Sequence, residues 1–290
     1  MKPLSKRSRL LTLSLIAACF HARAAEHSPG IGRNVEGIMD NSFLVEEAYN
    51  QERGVVQHIA TLQYGWEQRA GRDDEFWNLA FTQEWPFPSQ THQLSYTIPY
   101  AWSRTGGAFE NGFGDVLLSY RFQAYYDPER LMAFAPRASL ILPTGDADAG
   151  LGEDTLGLQF NLPFSTALSD DWFLHFNAGM TWLPDAASAE NGDLVHFNLG
   201  ASVIYAATHD CHVIVEWVGF SNEFRELNLG RERDFVSLLS PGVRKAFNFA
   251  SGSQLVAGVA LPIGLSSESP DVGCFFYLSF EHAFARTESE

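Results

Sequence analysis

Apolar and polar side chains alternate along most of the chain between residues 55 and 284. From Gln93 to Trp102, the even positions carry Leu, Tyr, Ile, Tyr and Trp, and the odd positions carry Gln, Ser, Thr, Pro and Ala. The stretch from Trp172 to Trp182 repeats this pattern. A period of two residues places alternate side chains on opposite faces of a β-strand. No stretch of comparable length has a 3.6-residue period, so the pattern predicts an all-β protein.

The alternation divides into twelve segments, most of them about ten residues long. They lie at 55–69, 75–85, 92–102, 114–126, 131–142, 155–164, 172–182, 194–206, 212–220, 235–247, 254–262 and 272–284. A tilted strand of about ten residues crosses a bilayer, and single-chain bacterial outer-membrane barrels have an even number of strands. We therefore predict a transmembrane antiparallel up-and-down β-barrel of about 12 strands over residues 55–284.

The connectors between the segments alternate in length after the first hairpin. The short ones are Pro86 to Thr91, Asp127 to Arg130, Ser165 to Asp171, Ala207 to Cys211 and Asn248 to Ser253. The long ones are Ser103 to Phe113, Pro143 to Asp154, Leu183 to Asp193, Ser221 to Asp234 and Ile263 to Asp271. If both termini are periplasmic, every short connector is a periplasmic turn and every long one an extracellular loop, as in known outer-membrane barrels.

All seven tryptophans fall on the apolar face of their segments. They are Trp66, Trp77, Trp85, Trp102, Trp172, Trp182 and Trp217, and six of them lie near a strand end. This placement predicts an aromatic girdle at the membrane interfaces. Ten residues separate Trp172 from Trp182, which at ~3.3 Å per residue and ~40° tilt is roughly 25 Å along the membrane normal.

The same alternation could also belong to a soluble barrel or sandwich, which is the alternative interpretation. Its second face would meet water and carry many charges. Here that face holds mainly Gln, Asn, Ser, Thr and Gly, whereas acids crowd into connectors such as Asp146-Ala147-Asp148. The composition therefore favours the membrane barrel. Disorder is excluded because 23 Phe, 9 Tyr and 7 Trp supply abundant apolar surface.

The first 24 residues have the composition of a secretory signal peptide. A basic stretch precedes the apolar run from Leu10 to Phe20, which is too short to span a bilayer as a helix. Ala22-Arg23-Ala24 fits cleavage after Ala24, whereas Ile16-Ala17-Ala18-Cys19 fits a lipoprotein site. We predict a signal peptide at 1–24, because a barrel already embedded in the membrane gains little from an acyl anchor.

Removal of that peptide changes the charge and the cysteine content. Its five bases, taken from the total of 19, leave 14 against 35 acids, a net charge of −21. Such a charge argues against nucleic acid as a partner. Cys211 and Cys274 remain, and we predict that both are free, because the height of the barrel separates them.

Two short segments flank the predicted barrel. Residues 25–54 form an N-terminal extension, in which the stretch from Asn41 to Asn50 has the composition of one or two helical turns. This extension either plugs the lumen or hangs in the periplasm, and the sequence leaves both open. Residues 285–290 form a C-terminal tail after the last aromatic residue, Phe284.

Four stretches carry a family resemblance. They are Glu46-Glu47-Ala48-Tyr49-Asn50-Gln51-Glu52, Gly112-Phe113-Gly114-Asp115-Val116, Pro143-Thr144-Gly145-Asp146 with Gly150-Leu151-Gly152, and Leu239-Ser240-Pro241-Gly242-Val243-Arg244. They resemble a bacterial outer-membrane transporter family labelled meta-pathway of phenol degradation-like. The resemblance covers most of the mature chain and implies a barrel that passes small hydrophobic or aromatic compounds.

Three groups of residues could indicate a metal site or a lipase site, but each has a simpler interpretation. The loop from Asp146 to Asp154 lacks the EF-hand spacing and is read as a solvated acidic loop. The cluster from His209 to His212 lacks a second ligand pair. His58 and His282 face outward, but no outward serine stands at a clear partner position for a lipase. We expect no enzymatic activity, no catalytic residues, no metal and no cofactor.

Parity places five charged side chains in the lumen as candidates for a constriction. They are Arg121, Arg137, Arg244, Glu84 and Glu216. We expect Arg121 to pair with Pro136, which makes Arg121 and Arg137 diagonal neighbours. Two readings stay open: an internal salt-bridge network that fills the barrel, or a basic constriction that favours phenolate or carboxylate forms of aromatic solutes.

The function predicted from these features is an outer-membrane channel or facilitator for small hydrophobic or aromatic solutes. The alternatives are a barrel enzyme acting on lipids and a structural or adhesion barrel. Expected partners are outer-membrane lipids, the solutes themselves and the barrel assembly machinery. Pro99 and Pro136, inside the third and fifth strands, predict local ladder defects that would give solutes a lateral exit.

Overall fold

The computed structural model describes residues 37–38, 42–69, 72–105, 108–189, 192–226 and 230–284. The predicted signal peptide (1–24) and the C-terminal tail (285–290) lie outside these residues, as does most of 25–41. Among the described residues, no helix has the length and apolar character needed to cross a membrane.

The described chain forms a closed barrel of twelve antiparallel strands, which confirms the predicted fold. Eight strands are continuous: β1 (Val55–Arg69), β2 (Arg72–Pro86), β3 (His92–Thr105), β7 (Trp172–Ala186), β8 (Gly192–Thr208), β9 (Cys211–Glu226), β10 (Gly230–Asn248) and β12 (Val272–Ala283). Four are interrupted: β4 (Ala108–Phe113, Val116–Phe122 and Tyr125–Asp127), β5 (Met132–Phe134 and Arg137–Leu142), β6 (Gly157–Asn161 and Phe164–Ser169) and β11 (Gln254–Ala260 and Ile263–Gly264). A short 3₁₀ turn, Ala187–Ala189, follows β7.

The first and last strands close the barrel. Their register runs without a break from the pair Val55–Ala283 to the pair Trp66–Val272. The short connectors and both ends of the barrel chain lie at one end, here called the turn end, and the long connectors lie at the other, the loop end. Because every strand has two neighbours, the wall presents no unpaired edge, as a membrane-spanning sheet requires.

Side chains alternate between the two faces of the wall. On β4, Leu118 is 44% exposed on the outside, whereas its neighbour Ser119 is 8% exposed and faces inward. Ser119 and Ser139 lie directly opposite each other and their hydroxyls are 2.8 Å apart. The outer face is therefore apolar and the inner face is polar, as in transmembrane barrels.

Three predicted connectors are wrong. The stretch from Ser103 to Phe113 is mostly hairpin, since β3 extends to Thr105 and β4 begins at Ala108. The stretch from Ser165 to Asp171 is mostly strand, because β6 resumes after Pro163 and pairs Phe164 with Phe176 in an unchanged register. Proline supplies no N–H to the ladder, so the ladder is interrupted at Pro163. The predicted segment ends at residue 164, whereas the strand continues to Ser169. The stretch from Ser221 to Asp234 is mostly hairpin, since β9 extends to Glu226 and β10 begins at Gly230.

The ladder defects predicted at Pro99 and Pro136 are present as bulges. Opposite Pro99, β4 is interrupted between Phe113 and Val116, and the Gly114 N–H donates to the Pro99 carbonyl at 3.0 Å. The Pro136 carbonyl likewise accepts the Phe122 N–H at 3.0 Å. The strands bend at these sites but stay hydrogen-bonded, so this structure contains no gap at either proline.

Cysteine chemistry differs from the prediction at one position. Cys274 carries a free thiol. Cys211 takes part in a disulfide, so the prediction of a free thiol there is wrong. As predicted, the two residues are not joined to each other.

Candidate functional site: a plugged lumen

Residues 42–51, here called the plug, run through the inside of the barrel just before β1. This stretch contains bends but no helical turn, so the predicted turn of helix is wrong within it. Ser42, Val45, Glu47, Ala48 and Gln51 are all buried. The sequence leaves the lumen and the periplasm open as locations for this segment, and in the structure it lies in the lumen.

Polar side chains of the wall hold the backbone of the plug. The Glu216 carboxylate, fully buried on β9, accepts the N–H groups of Leu44 and Val45 at 3.0 Å. Ser165 Oγ accepts the Ala48 N–H at 2.8 Å. A segment without secondary structure must find partners for its buried N–H groups, and the inward-facing polar residues supply them.

The same pattern continues toward the turn end. Gln123 Oε1 accepts the Asn50 N–H at 3.1 Å, and Gln93 Oε1 accepts the Gln51 N–H at 2.7 Å. The Tyr49 hydroxyl donates to the Leu131 carbonyl at 2.6 Å. Burial, followed by the nearby Glu47 carboxylate, raises the pKa of Tyr49, so its hydroxyl remains a donor. The plug is thus fastened along its length.

Glu46 is bound by three donor nitrogens of the wall. Arg137 Nε lies 3.0 Å from each carboxylate oxygen, Arg121 Nη1 lies 3.2 Å away and Asn161 Nδ2 donates at 2.6 Å. We call Arg121, Arg137 and Asn161 the carboxylate cage. Burial alone raises the pKa of Glu46, but the two guanidiniums and the Asn161 hydrogen bond outweigh it and hold the pKa below its usual value. Glu46 is therefore an anion in a built anion site.

Arg121 also binds the plug backbone. This guanidinium is 3% exposed and donates to the carbonyls of Glu47 at 3.0 Å and Tyr49 at 2.6 Å. Its Nε donates to Asn50 Oδ1 at 2.9 Å, and Glu84 lies 3.9 Å from its Nη2. One wall arginine thus binds Glu47, Tyr49 and Asn50 of the plug.

A second acidic residue of the plug meets a second wall arginine. Arg244, which is 2% exposed, places Nη2 3.5 Å from Glu47 Oε1. His175 Nε2 lies 3.6 Å from the same oxygen, and its Nδ1 lies 2.8 Å from Ser165 Oγ. Glu46 and Glu47 therefore neutralise wall charges on different sides of the lumen.

Phe43 anchors the start of the plug in an apolar socket. Its ring lies 5.7 Å from that of Phe275 and 5.6 Å from that of Tyr277, measured between centroids. A Cβ atom on Gly242 would lie 2.6 Å from the Phe43 ring, and one on Gly258 would lie 2.4 Å from it. The ring fits only because both wall positions lack a side chain.

The five predicted lumen charges all face inward, but their pairing differs from the prediction. Arg121 lies directly opposite Arg137, not Pro136, because the hairpin between β4 and β5 turns between Glu129 and Arg130 and a bulge near Gln123 then shifts the register by one residue. The two arginines are bridged by Glu46, and Glu216 binds backbone N–H groups. Sequence reasoning missed the acids of the plug. The signal for them was the Glu46-Glu47 pair just before a barrel with excess inward arginine.

A luminal cavity of about 220 Å³ adjoins the cage on its loop-end side. One wall is apolar, formed by Leu44, Val218 and Phe220. The rest of the lining carries the amides of Gln159, Asn161, Asn177 and Asn198 beside Arg137 and Glu46. This combination of one apolar and one polar side suits a small amphipathic solute.

The seven tryptophans share the outer face of the wall. Trp66, Trp77, Trp102 and Trp182 lie toward the loop end, Trp85 and Trp172 toward the turn end, and Trp217 between them. Trp77 and Trp102 pair directly across β2 and β3. The arrangement has the two bands that an aromatic girdle needs.

The acidic loop and the cluster from His209 to His212, considered above as metal sites, have other contacts in the structure. The Asp115 carboxylate accepts the N–H groups of Thr144, Gly145 and Glu153, and so fastens the acidic loop to β4. His209 contacts Asp210 at 3.2 Å. Within the described parts of the chain, no group of three His, Cys, Asp or Glu residues has the geometry to hold a metal ion.

Comparison with known proteins agrees with this architecture. A family model described as "Putative MetA-pathway of phenol degradation" matches residues 53–262. The chain is similar to the COG4313 outer membrane channel from Pseudomonas putida F1, with 12% identity, 81% of this chain and 97% of that chain covered, and a TM-score of 0.62. No curated protein sequence matches.

Two further solved barrels are similar at lower scores. The NanC porin has 8% identity, covers 78% of this chain and 98% of that chain, and has a TM-score of 0.45. The translocator domain of the autotransporter NalP from Neisseria meningitidis has 10% identity, 96% and 95% coverage, and a TM-score of 0.45. The molecule is a barrel of the bacterial outer membrane.

Proposed function

The chain belongs to the family described as "Putative MetA-pathway of phenol degradation", and from that premise we propose that it is an outer-membrane channel for small hydrophobic or aromatic solutes. The observation that carries the proposal is a lumen occupied by a non-covalently held plug, with a cavity of about 220 Å³ beside it that is lined by both apolar and polar side chains. A barrel that served only as a membrane anchor would need neither feature.

Two comparisons support this proposal. The family description refers to phenol degradation, which supports an aromatic solute. The similar Pseudomonas putida barrel is named an outer membrane channel. In this view the apolar outer face contacts membrane lipids, and the aromatic residues of β12 present the signal read by the barrel assembly machinery.

The lipid-modifying alternative has little support from the outer face. His58 Nε2 lies 3.2 Å from His282 Nε2, and both rings stack with each other and with nearby phenylalanines. Neither histidine contacts a serine among the hydrogen bonds of the described residues. We assign this pair to interfacial anchoring.

Liposome flux separates the proposed function from its alternatives. We expect purified barrel in liposomes to speed the entry of benzyl alcohol and toluene relative to empty liposomes, with little entry of a disaccharide. Lipid hydrolysis without flux would identify the enzyme, and neither activity would identify a structural barrel. Either of these results rejects the channel.

The five lumen charges form the proposed constriction. Arg121, Arg137 and Arg244, with Glu84 and Glu216, line the narrowed lumen around the plug. We propose that the arginines give the open lumen a preference for anions. Reversal potentials in planar bilayers test this: the double variant Arg121→Ala with Arg137→Ala should lose anion preference. Unchanged selectivity would make these arginines purely structural.

A further inference from the structure

Glu46 occupies a receptor that does not depend on the plug for any of its donors. The three donor nitrogens come from three wall strands, β4, β5 and β6, and Arg137 Nε is shared by both carboxylate oxygens. Guanidinium groups and amide N–H groups in this arrangement form the usual receptor for a carboxylate. The wall thus supplies the receptor and the plug supplies its ligand.

Removal of the plug leaves this receptor in an unfavourable state. Arg121 is 3% exposed, and the next acid, Glu84, is 3.9 Å from its Nη2 and also bound by Gln93 Nε2. Two adjacent guanidiniums in a confined lumen repel each other, and Arg121 loses the plug carbonyls of Glu47 and Tyr49 that it binds. An open state is therefore favoured by another anion that takes the place of the Glu46 carboxylate.

The cavity beside the cage specifies what else that anion carries. Arg137, Asn161 and Glu46 belong to the lining of the cavity, so a carboxylate in the cage has its substituent in this space. Leu44, Val218 and Phe220 form an apolar surface there. An aromatic ring buries its faces on such a surface more favourably than a small polar group does.

We propose that small aromatic carboxylates bind the cage in exchange for Glu46, with the ring in the adjoining cavity. The side chain of Glu46 is thus an internal substitute for the carboxylate of the solute. This inference rests on the proposed channel function and names the solute class. Neutral aromatic solutes enter the cavity but do not compete for the cage.

Benzoate binding to the detergent-solubilised full-length barrel tests the exchange. The Glu46→Gln variant keeps the shape of the side chain but removes its charge, so the cage holds this side chain less tightly and we expect benzoate to bind the variant at least ten times more tightly than the wild type. Benzyl alcohol, which lacks the charge, should bind both proteins equally. Acetate, which lacks the ring, should bind the variant more weakly than benzoate.

Two variants serve as controls. Glu129→Gln removes an exposed acid at the turn end and should leave benzoate affinity at the wild-type value. Arg137→Gln combined with Glu46→Gln should abolish the gained affinity while the barrel still migrates as folded in unheated gels. If Glu46→Gln does not fold, Glu46→Ala gives the same comparison.

The outcomes are separable from those of the channel test. Equal benzoate affinity in the wild type and Glu46→Gln, or a gain that survives loss of Arg137, overturns the exchange. Failure of liposome flux with benzoate binding intact rejects the channel and keeps the carboxylate site. Flux of benzyl alcohol without benzoate binding supports the channel and rejects the carboxylate site.

Discussion

At the scale of single residues, buried hydrogen bonds explain why Glu46 and Glu216 can fasten an irregular segment, and at Glu46 charge adds to them. Each carboxylate lies in the lumen and satisfies several donors that would otherwise be buried without a partner. Hydrogen bonds to an ionised group contribute about 1.5–3 kcal/mol each, more than neutral ones. The plug therefore depends on a few side chains whose removal has measurable effects.

The pH dependence of Glu46 is the first expectation at this scale. A carboxyl group whose pKa is lowered in the folded state contributes stability that is complete above its unfolded value and lost as the pH falls through the folded value. The contribution of Glu46 to closure should thus be constant from pH 7 to about 5 and disappear only below the ordinary range of a glutamate, about 4.3.

Single-channel conductance of the wild type and Glu46→Gln measures this contribution. The difference between the two proteins should persist at pH 5 and shrink toward pH 3. A difference that vanishes between pH 7 and 5 would show that Glu46 is not held as an anion by Arg121 and Arg137.

Glu216 gives a second expectation. Glu216→Gln retains one acceptor oxygen but replaces the other, which also accepts the Leu44 N–H, with an amide NH2 group. We expect the loss of about 1.5 kcal/mol to speed amide hydrogen exchange at these two residues roughly tenfold. Exchange in the strands should stay unchanged, and equal exchange in both proteins would contradict the role assigned to Glu216.

At the scale of elements, two of the four sequence stretches of the family resemblance meet inside the barrel at the plug. Glu46 to Glu52 form much of it, and the strand β10 stretch ending in Arg244 supplies both Gly242 beside Phe43 and the partner of Glu47. These stretches look like turn and strand-entry signals when read alone. Their shared role becomes visible only when the barrel brings them to one height of the lumen.

The glycine socket predicts how the plug can be released without damage to the wall. In Gly258→Val, the new side chain occupies the position of the Phe43 ring, so the plug should lose its apolar anchor. β-branched residues suit strands, so the wall itself should remain stable. We expect a larger conductance together with an unchanged melting temperature of the barrel.

Two further variants check this assignment. Phe43→Ala should give a similar increase in conductance from the opposite side of the contact. Ala108→Val, at an exposed strand position of β4, should leave the conductance unchanged. If Gly258→Val unfolds the barrel and Phe43→Ala leaves conductance unchanged, the socket does not anchor the plug.

Strand number and facing were predictable because the period of two is set locally and repeats twelve times. The continuation of β6 beyond Pro163 was not predictable, because the pairing of Phe164 with Phe176 depends on the neighbouring strand. The position of the plug could not be predicted from a local sequence pattern either. It depends on the fit of Phe43, Glu46 and Glu47 to wall residues that are more than seventy positions away in sequence.

At the scale of the whole molecule, the two ends of the barrel differ in a way that fixes its orientation. The turn end holds the entry of the plug and tight connections such as the turn between β6 and β7 at Asp170 and Asp171. The loop end holds the acidic loop from Pro143 to Asp154, fastened by Asp115. We expect the turn end to face the periplasm and the loop end the cell exterior.

Epitope insertion tests this orientation. An epitope placed after Asp148, in an exposed part of the acidic loop, should be labelled by antibody on intact cells. The same epitope placed after Glu129, in the exposed turn between β4 and β5, should be labelled only after the outer membrane is permeabilised. The opposite result would invert the barrel, and with it the side from which a solute meets the cavity.

The plug joins β1 through only Glu52, Arg53 and Gly54, where the Val55 N–H donates to the Glu52 carbonyl at 3.0 Å. A ligand on so short a tether stays at an effective concentration in the millimolar range or above when it is released. A free aromatic acid must reach a comparable concentration to displace it. The barrel would then admit solute above a threshold set by the length of its own tether, and a longer tether would lower that threshold.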